Sequence, residues 1–181
     1  MHTAYLSLGS NQGNRALHLA EACDLLSEHQ IKIIRRSPIY ETAPWGFVAD
    51  TLFLNAVIEV TTPLDPYALH RAIMEVESAL GRTRVNLDPV QQPYVSRSID
   101  LDVLFFDDLI LTDHSLTIPH PRLHMRNFVL VPMVDLASGF RHPLLNLRMD
   151  ELLAASIDAA DARYHGPWPE HTIHTVVSIF T

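Results

Sequence analysis

Cysteine, lysine and long apolar runs are the scarcest features of this 181-residue chain. Cys23 is the single cysteine, so no disulfide can form within the chain, and a reducing compartment is the simplest setting. The N-terminus has no basic segment followed by an apolar one, and no apolar run approaches the roughly 18 residues that a membrane span needs. We therefore expect a cytoplasmic protein without a membrane segment.

Positive charge is also scarce. Thirteen Lys and Arg residues are set against 21 Asp and Glu residues, which gives a formal net charge of −8. This balance argues against nucleic acid or an anionic membrane as the main partner, because both need a basic surface. Lys32 is the one lysine, and the chain has no Gly-x-x-x-x-Gly-Lys run, which argues against a phosphate-loop ATPase. A small anionic ligand is still compatible with the composition if arginines gather locally.

The order of predicted elements indicates an α+β fold. Apolar periodicity predicts strands at 3–9, 31–40 and 52–61, a helix from about 16, and a second helix from Asp65 and Pro66 to Gly81. A strand that carries Asp100 and Asp102 follows. This order predicts a ferredoxin-like βαββαβ sandwich. Further helices at 127–136 and 149–155 form its C-terminal helical extension, and a short hairpin is expected within 108–118.

The chain divides at residue 155 by composition. Its 48% apolar content is enough for one domain with a full core, which we assign to residues 1–155. Residues 156–181 contain a Gly-Pro-Trp-Pro stretch and three histidines, and we expect a loosely attached C-terminal tail with a terminal strand at 175–180.

Two aspartates interrupt an otherwise apolar strand. Because side chains alternate along a strand at about 3.3 Å per residue, Asp100 and Asp102 point to one face about 6.5 Å apart. The residues at 99, 101, 103 and 105 then line the opposite face. Mg²⁺ is usually held by one or two carboxylates and the oxygens of a polyphosphate, so the pair predicts a nucleotide site. The alternative is an exposed sheet face with two solvated aspartates.

Other polar positions admit both a functional and a structural interpretation. Arg82 and Arg84 can contact phosphates or simply suit the end of the preceding helix. His120 and His124 have the spacing of zinc ligands, but a proline lies between them and further ligands are lacking. Asn55 offers an amide for a ligand, or is an ordinary outer-face residue. Glu77 belongs to a site or is a solvated helix residue, and Phe53 and Phe128 line a ligand slot or belong to the core.

Four segments together resemble one enzyme family. They are 7–11 with Gly13 and Arg15, 37–46 followed by 53–55, Glu77 with 81–84, and 97–102 leading to 118–122 and 126–129. In this order they are similar to the 6-hydroxymethyl-7,8-dihydropterin pyrophosphokinases of folate synthesis, and the likeness runs from about residue 4 to residue 152. The resemblance implies transfer of the diphosphate of ATP to the hydroxymethyl oxygen of a reduced pterin, with release of AMP.

The resemblance also implies roles for individual residues. Asp100 and Asp102 match the ligands of two Mg²⁺ ions that hold ATP. The implied catalytic residues are these two aspartates with Arg82, Arg84 and Arg97. The implied ATP-binding residues are Glu77, Arg84, Arg97, His120 and Arg126. The implied pterin-binding residues are Thr42, Pro44, Trp45, Phe53, Asn55 and Phe128. The turn at 7–11 is expected to support the pterin slot. We expect ATP and a reduced pterin as partners, no nucleic acid and no membrane, and a monomer or weak homodimer.

The loop between Arg84 and Arg97 departs from the family pattern. It is longer than usual, and 85–96 contains no basic residue. In this family the loop is expected to fold over ATP, as lids do elsewhere, and Ser115 also stands where a basic contact is common. A second hypothesis is therefore a pterin- or nucleotide-binding paralogue with weak or altered turnover. A third is an RNA-binding module of similar topology, which would need exposed aromatics on a basic sheet.

Overall fold

The structure, a computed structural model, describes residues 1–46, 50–82 and 96–169. In chain order these residues form β1 (His2–Ser10), α1 (Arg15–Glu28), β2 (Lys32–Arg36), β3 (Ile39–Thr42), β4 (Phe53–Thr62), α2 (Pro66–Ala79), β5 (Asp100–Phe106), β6 (Leu111–Thr112), β7 (Thr117–Ile118), a 3₁₀ turn (Leu123–Met125), α3 (Asn127–Ala137), α4 (Met149–Ala154) and β8 (Arg163–Gly166).

The described part of the chain is built around an antiparallel sheet with helices packed on both faces. Its strands lie in the order β5-β1-β4-β3-β8, and β2 pairs with β4 beside β3. On one face, α1 and α2 bury a core that includes Leu6, Leu8 and Ile58. On the other face, α3 and α4 bury a second core around Val57 and Phe105. The chain is therefore a mixed fold of an antiparallel sheet and, in the described ranges, four α-helices.

Local sequence signals set the bounds of the first two helices. The Asp65 side chain accepts a hydrogen bond from Ala68 N at 2.8 Å, and Pro66 occupies the first helical position of α2. Leu69, Ile73 and Val76 form the buried stripe that the sequence predicts. In α1 the capping acceptor is the Asn14 side chain.

The predicted single strand at 31–40 is wrong, because β2 ends at Arg36 and β3 begins at Ile39. Pro38 has no N–H to donate to the sheet. Ser37 takes over the pairing at this point, since its N–H donates to Val57 O at 2.9 Å and its Oγ accepts from Val57 N at 3.0 Å. Both short strands still pair with β4.

The predicted alternation along β5 is wrong at Phe105. Leu101 and Val103 belong to the core under α1 and α2, but Phe105 lies in the core under α3 and α4. The register against β1 shifts between Tyr5 and Leu6, so that Leu104 is an extra residue on β5. Such a bulge exchanges the two faces of the strand beyond it.

The last described segment joins the sheet. β8 pairs with β3, and the Trp168 Nε1–H donates to Ser37 O at 2.7 Å. The expectation of a loosely attached tail did not anticipate this strand. The helices expected at 127–136 and 149–155 and the hairpin within 108–118 are present as α3, α4 and β6–β7. The strand expected at 175–180 lies outside the described residues.

Candidate active site

Half of one sheet face is open, and small residues form its floor. In β1, Gly9 lies opposite Asn55 on one side and Asp100 on the other, and Ser7 lies opposite Asp102. α3 and α4 cover the other half of the same face. The strand register therefore places an amide and two carboxylates around a floor that lacks bulky side chains.

This open half-face forms a pocket of about 560 Å³. The residues predicted to bind the pterin that line it are Thr42, Trp45, Phe53, Asn55 and Phe128. Pro44 lies in the same loop but outside the lining. Among the residues predicted to act on ATP and metal, the pocket is lined by Arg97, Asp100, Asp102 and Arg126. The structure thus brings members of the two predicted groups of residues into one cavity.

The Asn55 amide has a fixed orientation. Asn55 is 5% exposed, and its Nδ2 donates to Thr42 Oγ1 at 2.8 Å. Its Oδ1 faces Gly9, where an added methyl group would lie only 3.0 Å from that oxygen. Glycine at position 9 thus keeps the acceptor accessible, and Asn55 can offer an acceptor and its second N–H to a ligand.

A guanidinium group and two aromatic rings form one wall of the pocket. Arg126 Cζ lies 4.7 Å from the ring centroid of Trp45 and 5.4 Å from that of Phe128. Arg126 is buried, so these contacts are made largely away from water. The stacked planar groups suit a flat ligand.

The carboxylate of Asp100 is held by two arginines. Arg82 approaches its Oδ1 at 2.6 Å and Arg97 its Oδ2 at 2.6 Å. Arg82 also pairs with Glu77, which is 1% exposed and accepts a hydrogen bond from Leu101 N at 2.8 Å. Glu77 therefore lies behind the site, where it orients Arg82 and fixes the strand between the two aspartates.

The environment of Asp102 favours its neutral form. Burial raises the pKa of Asp102 above its ordinary value, and the negative charges of Asp100 and Glu77 raise it further. The positive charges of Arg126 and Arg82 lower the pKa but do not cancel these effects. A cation bound at Asp102 would supply the positive charge that this carboxylate lacks.

A second groove of about 580 Å³ lies on the far side of Asp102. Asp102 lines both cavities, and the groove also contains His70, Thr117 and His120. The predicted ATP-binding residue His120 therefore lies next to the pair of aspartates but outside the first pocket. His70 was not predicted from the sequence, because a lone histidine on a helix has no recognisable pattern.

His120 is neutral in this groove. Burial is the main cause that lowers its pKa to about 4, and the charge of Arg126 contributes. Its Nδ1 accepts a hydrogen bond from Arg122 N at 3.2 Å, which assigns the ring proton to Nε2. His120 can therefore donate one hydrogen bond from Nε2.

Asn11 fixes the approach to the aspartate strand. Its Oδ1 accepts from Arg97 N at 2.8 Å, and its Nδ2 donates to Ser96 Oγ at 3.0 Å. Its backbone oxygen accepts from Thr51 Oγ1 at 2.7 Å. The turn expected to support the slot thus also holds the backbone of Arg97, a role that the sequence did not show.

Three further points concern the loop before Arg97, a zinc site and a membrane span. Arg84 and residues 85–95 of the loop before Arg97 lie outside the described residues. In the described ranges, no group of three or more His, Cys, Asp or Glu side chains could hold a metal ion, and this includes the surroundings of His120 and His124. No helix in the same ranges is long and apolar enough to cross a membrane.

Comparison with known proteins identifies the family. The model of the 7,8-dihydro-6-hydroxymethylpterin-pyrophosphokinase (HPPK) family matches residues 5–138. The chain is 37% identical over 149 residues to 2-amino-4-hydroxy-6-hydroxymethyldihydropteridine pyrophosphokinase of Bacillus subtilis, a match that covers 82% of this chain and 86% of that protein. It is 38% identical over 154 residues to folic acid synthesis protein fol1 of Pneumocystis carinii, covering 85% of this chain and 20% of that protein.

A solved structure supports the fold. The crystal structure of wild-type Plasmodium falciparum HPPK-DHPS matches with a TM-score of 0.65 at 18% identity, over 84% of this chain and 44% of that one. The chain thus spans about a fifth of the Pneumocystis protein and less than half of the Plasmodium protein, but most of the Bacillus enzyme. From the family match and the bacterial relative, the chain belongs to the HPPK family.

Proposed function

We propose that the chain transfers the diphosphate of ATP to the hydroxymethyl group of 6-hydroxymethyl-7,8-dihydropterin and releases AMP, as a step of folate biosynthesis. Membership of the HPPK family supports this activity. The single observation that carries the proposal is that one pocket holds Asn55 and the aromatic rings of Trp45 and Phe128 beside Asp100 and Asp102. Such a pocket can hold a flat heterocycle with its side chain directed at a metal-bound phosphate.

The pterin is expected to lie over Gly9. There the Asn55 amide can pair with the donor and acceptor edge of the ring, and Thr42 keeps that amide in place. Trp45 and Phe128 can pack against the pterin ring, and the Arg126 guanidinium, which lies over both aromatic rings, belongs to the same wall of the pocket. Because Asp100 lies across β1 from Asn55, a bound pterin can direct its hydroxymethyl group toward the carboxylates.

The donor set suits magnesium held together with ATP. Asp100 and Asp102 offer hard oxygen ligands on one strand, and phosphate oxygens can complete the octahedral coordination that Mg²⁺ prefers. Mg²⁺ held by these two aspartates would supply positive charge that offsets the charge of the phosphates. Two ions form part of the proposal, because the resemblance to the family implies them.

Arg82 and Arg97 are expected to exchange partners when ATP binds. Both oxygens of Asp100 accept from these arginines at 2.6 Å. A cation on Asp100 would release the two guanidinium groups to phosphate oxygens, where they can stabilise charge that develops during transfer. Arg84 is proposed for the same task by its place in the motif.

The rest of the nucleotide is proposed to lie in the groove beyond Asp102. The groove and the pterin pocket share Asp102, so a triphosphate that crosses this residue can reach both cavities. His120 can donate to the nucleotide from Nε2 because it is neutral. Glu77 acts through Arg82 in this scheme.

The ferredoxin-like arrangement belongs to the same proposal. The order β1, α1, β2 with β3, β4, α2, β5 and the neighbour order β5-β1-β4-β3 support it. Residues 1–155 are proposed as the catalytic domain. A monomer or weak homodimer, a cytoplasmic location and the lack of nucleic-acid partners stay predictions from the sequence.

Product analysis tests the proposed reaction. The chain is incubated with ATP, Mg²⁺ and 6-hydroxymethyl-7,8-dihydropterin, and the nucleotides are separated. We expect AMP and pterin diphosphate in equal amounts, with neither formed when the pterin is omitted. Formation of ADP would instead indicate transfer of a single phosphoryl group. Tight binding of both ligands without turnover would favour a binding paralogue.

A further inference from the structure

A segment beyond the family match holds both walls of the pterin pocket. The match to the HPPK family ends at residue 138. Residues 156–168, here called the clamp, contact both α3 and β3. We propose that Asp158 of this clamp is a positioning residue for pterin binding, since it fixes the start of α3 between Arg126 and Phe128. The inference rests on the proposed function for the identity of the ligand.

Asp158 caps a helix that does not cap itself. α3 begins at Asn127, and the residue before it, Arg126, makes no side-chain capping hydrogen bond. Instead, Asn127 N donates to Asp158 Oδ2 at 2.8 Å. Asn127 Nδ2 donates to Asp158 O at 2.7 Å. A carboxylate at this position satisfies a free backbone donor and suits the positive end of the helix dipole.

The capping carboxylate is itself held in a tight local turn. Asp158 N donates to Ser156 Oγ at 3.2 Å, and Asp158 Oδ1 accepts from Ala160 N at 3.0 Å. Both carboxylate oxygens and the backbone of Asp158 are therefore engaged. The turn presents the carboxylate to α3 in one orientation.

The capped residue stands between two pocket residues. Arg126 and Phe128 flank Asn127 in sequence and both line the pocket. Arg126 Cζ lies 4.7 Å from the ring centroid of Trp45, which belongs to the loop on the opposite side of the pocket. A change in the first turn of α3 would therefore alter the width of the slot between Phe128 and Trp45.

The same clamp supports the wall that carries Thr42. In β8, Tyr164 lies opposite Tyr40, and Arg163 lies opposite Glu41, next to Thr42 at the end of β3. Trp168 donates to Ser37 O at 2.7 Å at the other end of β3. One continuous segment thus ties α3 and β3 together on either side of the pocket.

Asp158→Ala tests the role of the cap in pterin affinity. Binding of 6-hydroxymethylpterin is measured by tryptophan fluorescence, alongside KM for each substrate, kcat and Tm. We expect the pterin dissociation constant and KM to rise about fivefold or more, as for loss of a helix cap, with kcat and the KM of ATP within about twofold. A purely structural role would lower Tm without this selective change.

A conservative variant and a control variant accompany Asp158→Ala. Asp158→Asn retains an oxygen acceptor for Asn127 N, and we expect it to restore most of the pterin affinity. Asp161→Ala removes a carboxylate of the same clamp that pairs with Arg163 in solvent, and it should leave both substrates unaffected. Unchanged pterin affinity in a folded Asp158→Ala variant would overturn the proposal, as would an equal loss in Asp161→Ala.

Failure of this inference is distinguishable from failure of the proposed function. A wild-type chain that binds the pterin but releases no AMP would contradict the proposed function alone, and the dissociation constants would still decide the role of Asp158. A wild-type chain that binds no pterin would overturn both.

Discussion

The backbone amide of Leu101 donates a hydrogen bond to Glu77 Oε1 at 2.8 Å. This bond joins α2 to β5 at the residue between Asp100 and Asp102. Glu77 is 1% exposed and also pairs with Arg82, so one buried carboxylate fixes the strand and an arginine of the site together. The position of the two aspartates thus depends on a residue that does not itself line the pocket.

Glu77→Gln is expected to lower kcat by about tenfold while the fold is retained, because the amide oxygen still accepts from Leu101 N but the charge that orients Arg82 is lost. Glu77→Leu leaves the buried Leu101 N–H and the partly exposed Arg82 guanidinium without that acceptor, and should destabilise the fold by about 3 kcal/mol. Steady-state kinetics and urea unfolding measure these effects. Glu75→Gln is the matched control, since the side chain of Glu75 on the same helix is 67% exposed. Equal kinetics for Glu77→Gln and the control would contradict this role.

Asp100→Asn and Asp102→Asn are each expected to lower turnover by about three decades or more, because a neutral amide is a poor replacement for an anionic Mg²⁺ ligand. Circular dichroism should show the wild-type fold in both variants. Asp108→Asn serves as the control, since Asp108 is an exposed carboxylate just after β5. Wild-type turnover in both site variants would remove the metal assignment.

The ligand-free chain should become less stable as pH rises because of Asp102. Its pKa is raised in the folded state, so the folded chain retains a proton that the unfolded chain releases above about pH 4. The free energy of unfolding therefore falls from about pH 4 upward through the raised pKa. Asp102→Asn removes this loss and is expected to be more stable than wild type at pH 8 by roughly 1 to 2 kcal/mol, with little difference at pH 4.

Urea unfolding of wild type and Asp102→Asn without Mg²⁺ at both pH values measures this difference. A variant that is less stable than wild type at pH 8 would show that Asp102 is stabilised as an anion. That result would contradict the unfavourable environment of its charged form.

Thr42→Val is expected to raise the KM of the pterin by about tenfold, because the Asn55 amide loses the acceptor that sets its orientation. Thr42→Ser keeps the hydroxyl and should stay within about twofold of wild type. Initial rates at saturating ATP measure both variants. A large effect of Thr42→Ser with none of Thr42→Val would show that the methyl group matters and the hydrogen bond does not.

The fold was predictable where local signals agree with the three-dimensional contacts. Asp65 and Pro66 mark the start of α2, and the strand predicted at 52–61 is present as β4. The prediction failed where a distant residue decides the structure. Ser37 lies between β2 and β3 and hydrogen-bonds to Val57 of β4. The bulge at Leu104 depends on the pairing of β5 with β1.

The candidate site shows the same division. The motif around Asp100 and Asp102 and the resemblance to a family placed most pocket residues from the sequence alone. The sequence did not show that Asp100 forms ion pairs with two arginines, or that Asp102 lines two cavities. The capping of α3 by Asp158, 31 residues beyond Asn127, has no local signal either. Such features depend on where the strands and loops meet.

A crystal structure of the chain with Mg²⁺, a non-hydrolysable ATP analogue and 6-hydroxymethylpterin tests the central claim most directly. We expect a metal ion at about 2.1 Å from oxygens of both Asp100 and Asp102, the pterin hydroxymethyl oxygen facing the β-phosphorus, and Arg82 and Arg97 on phosphate oxygens. Both aspartates without a metal ligand, and Arg82 and Arg97 still paired to Asp100, would contradict the account.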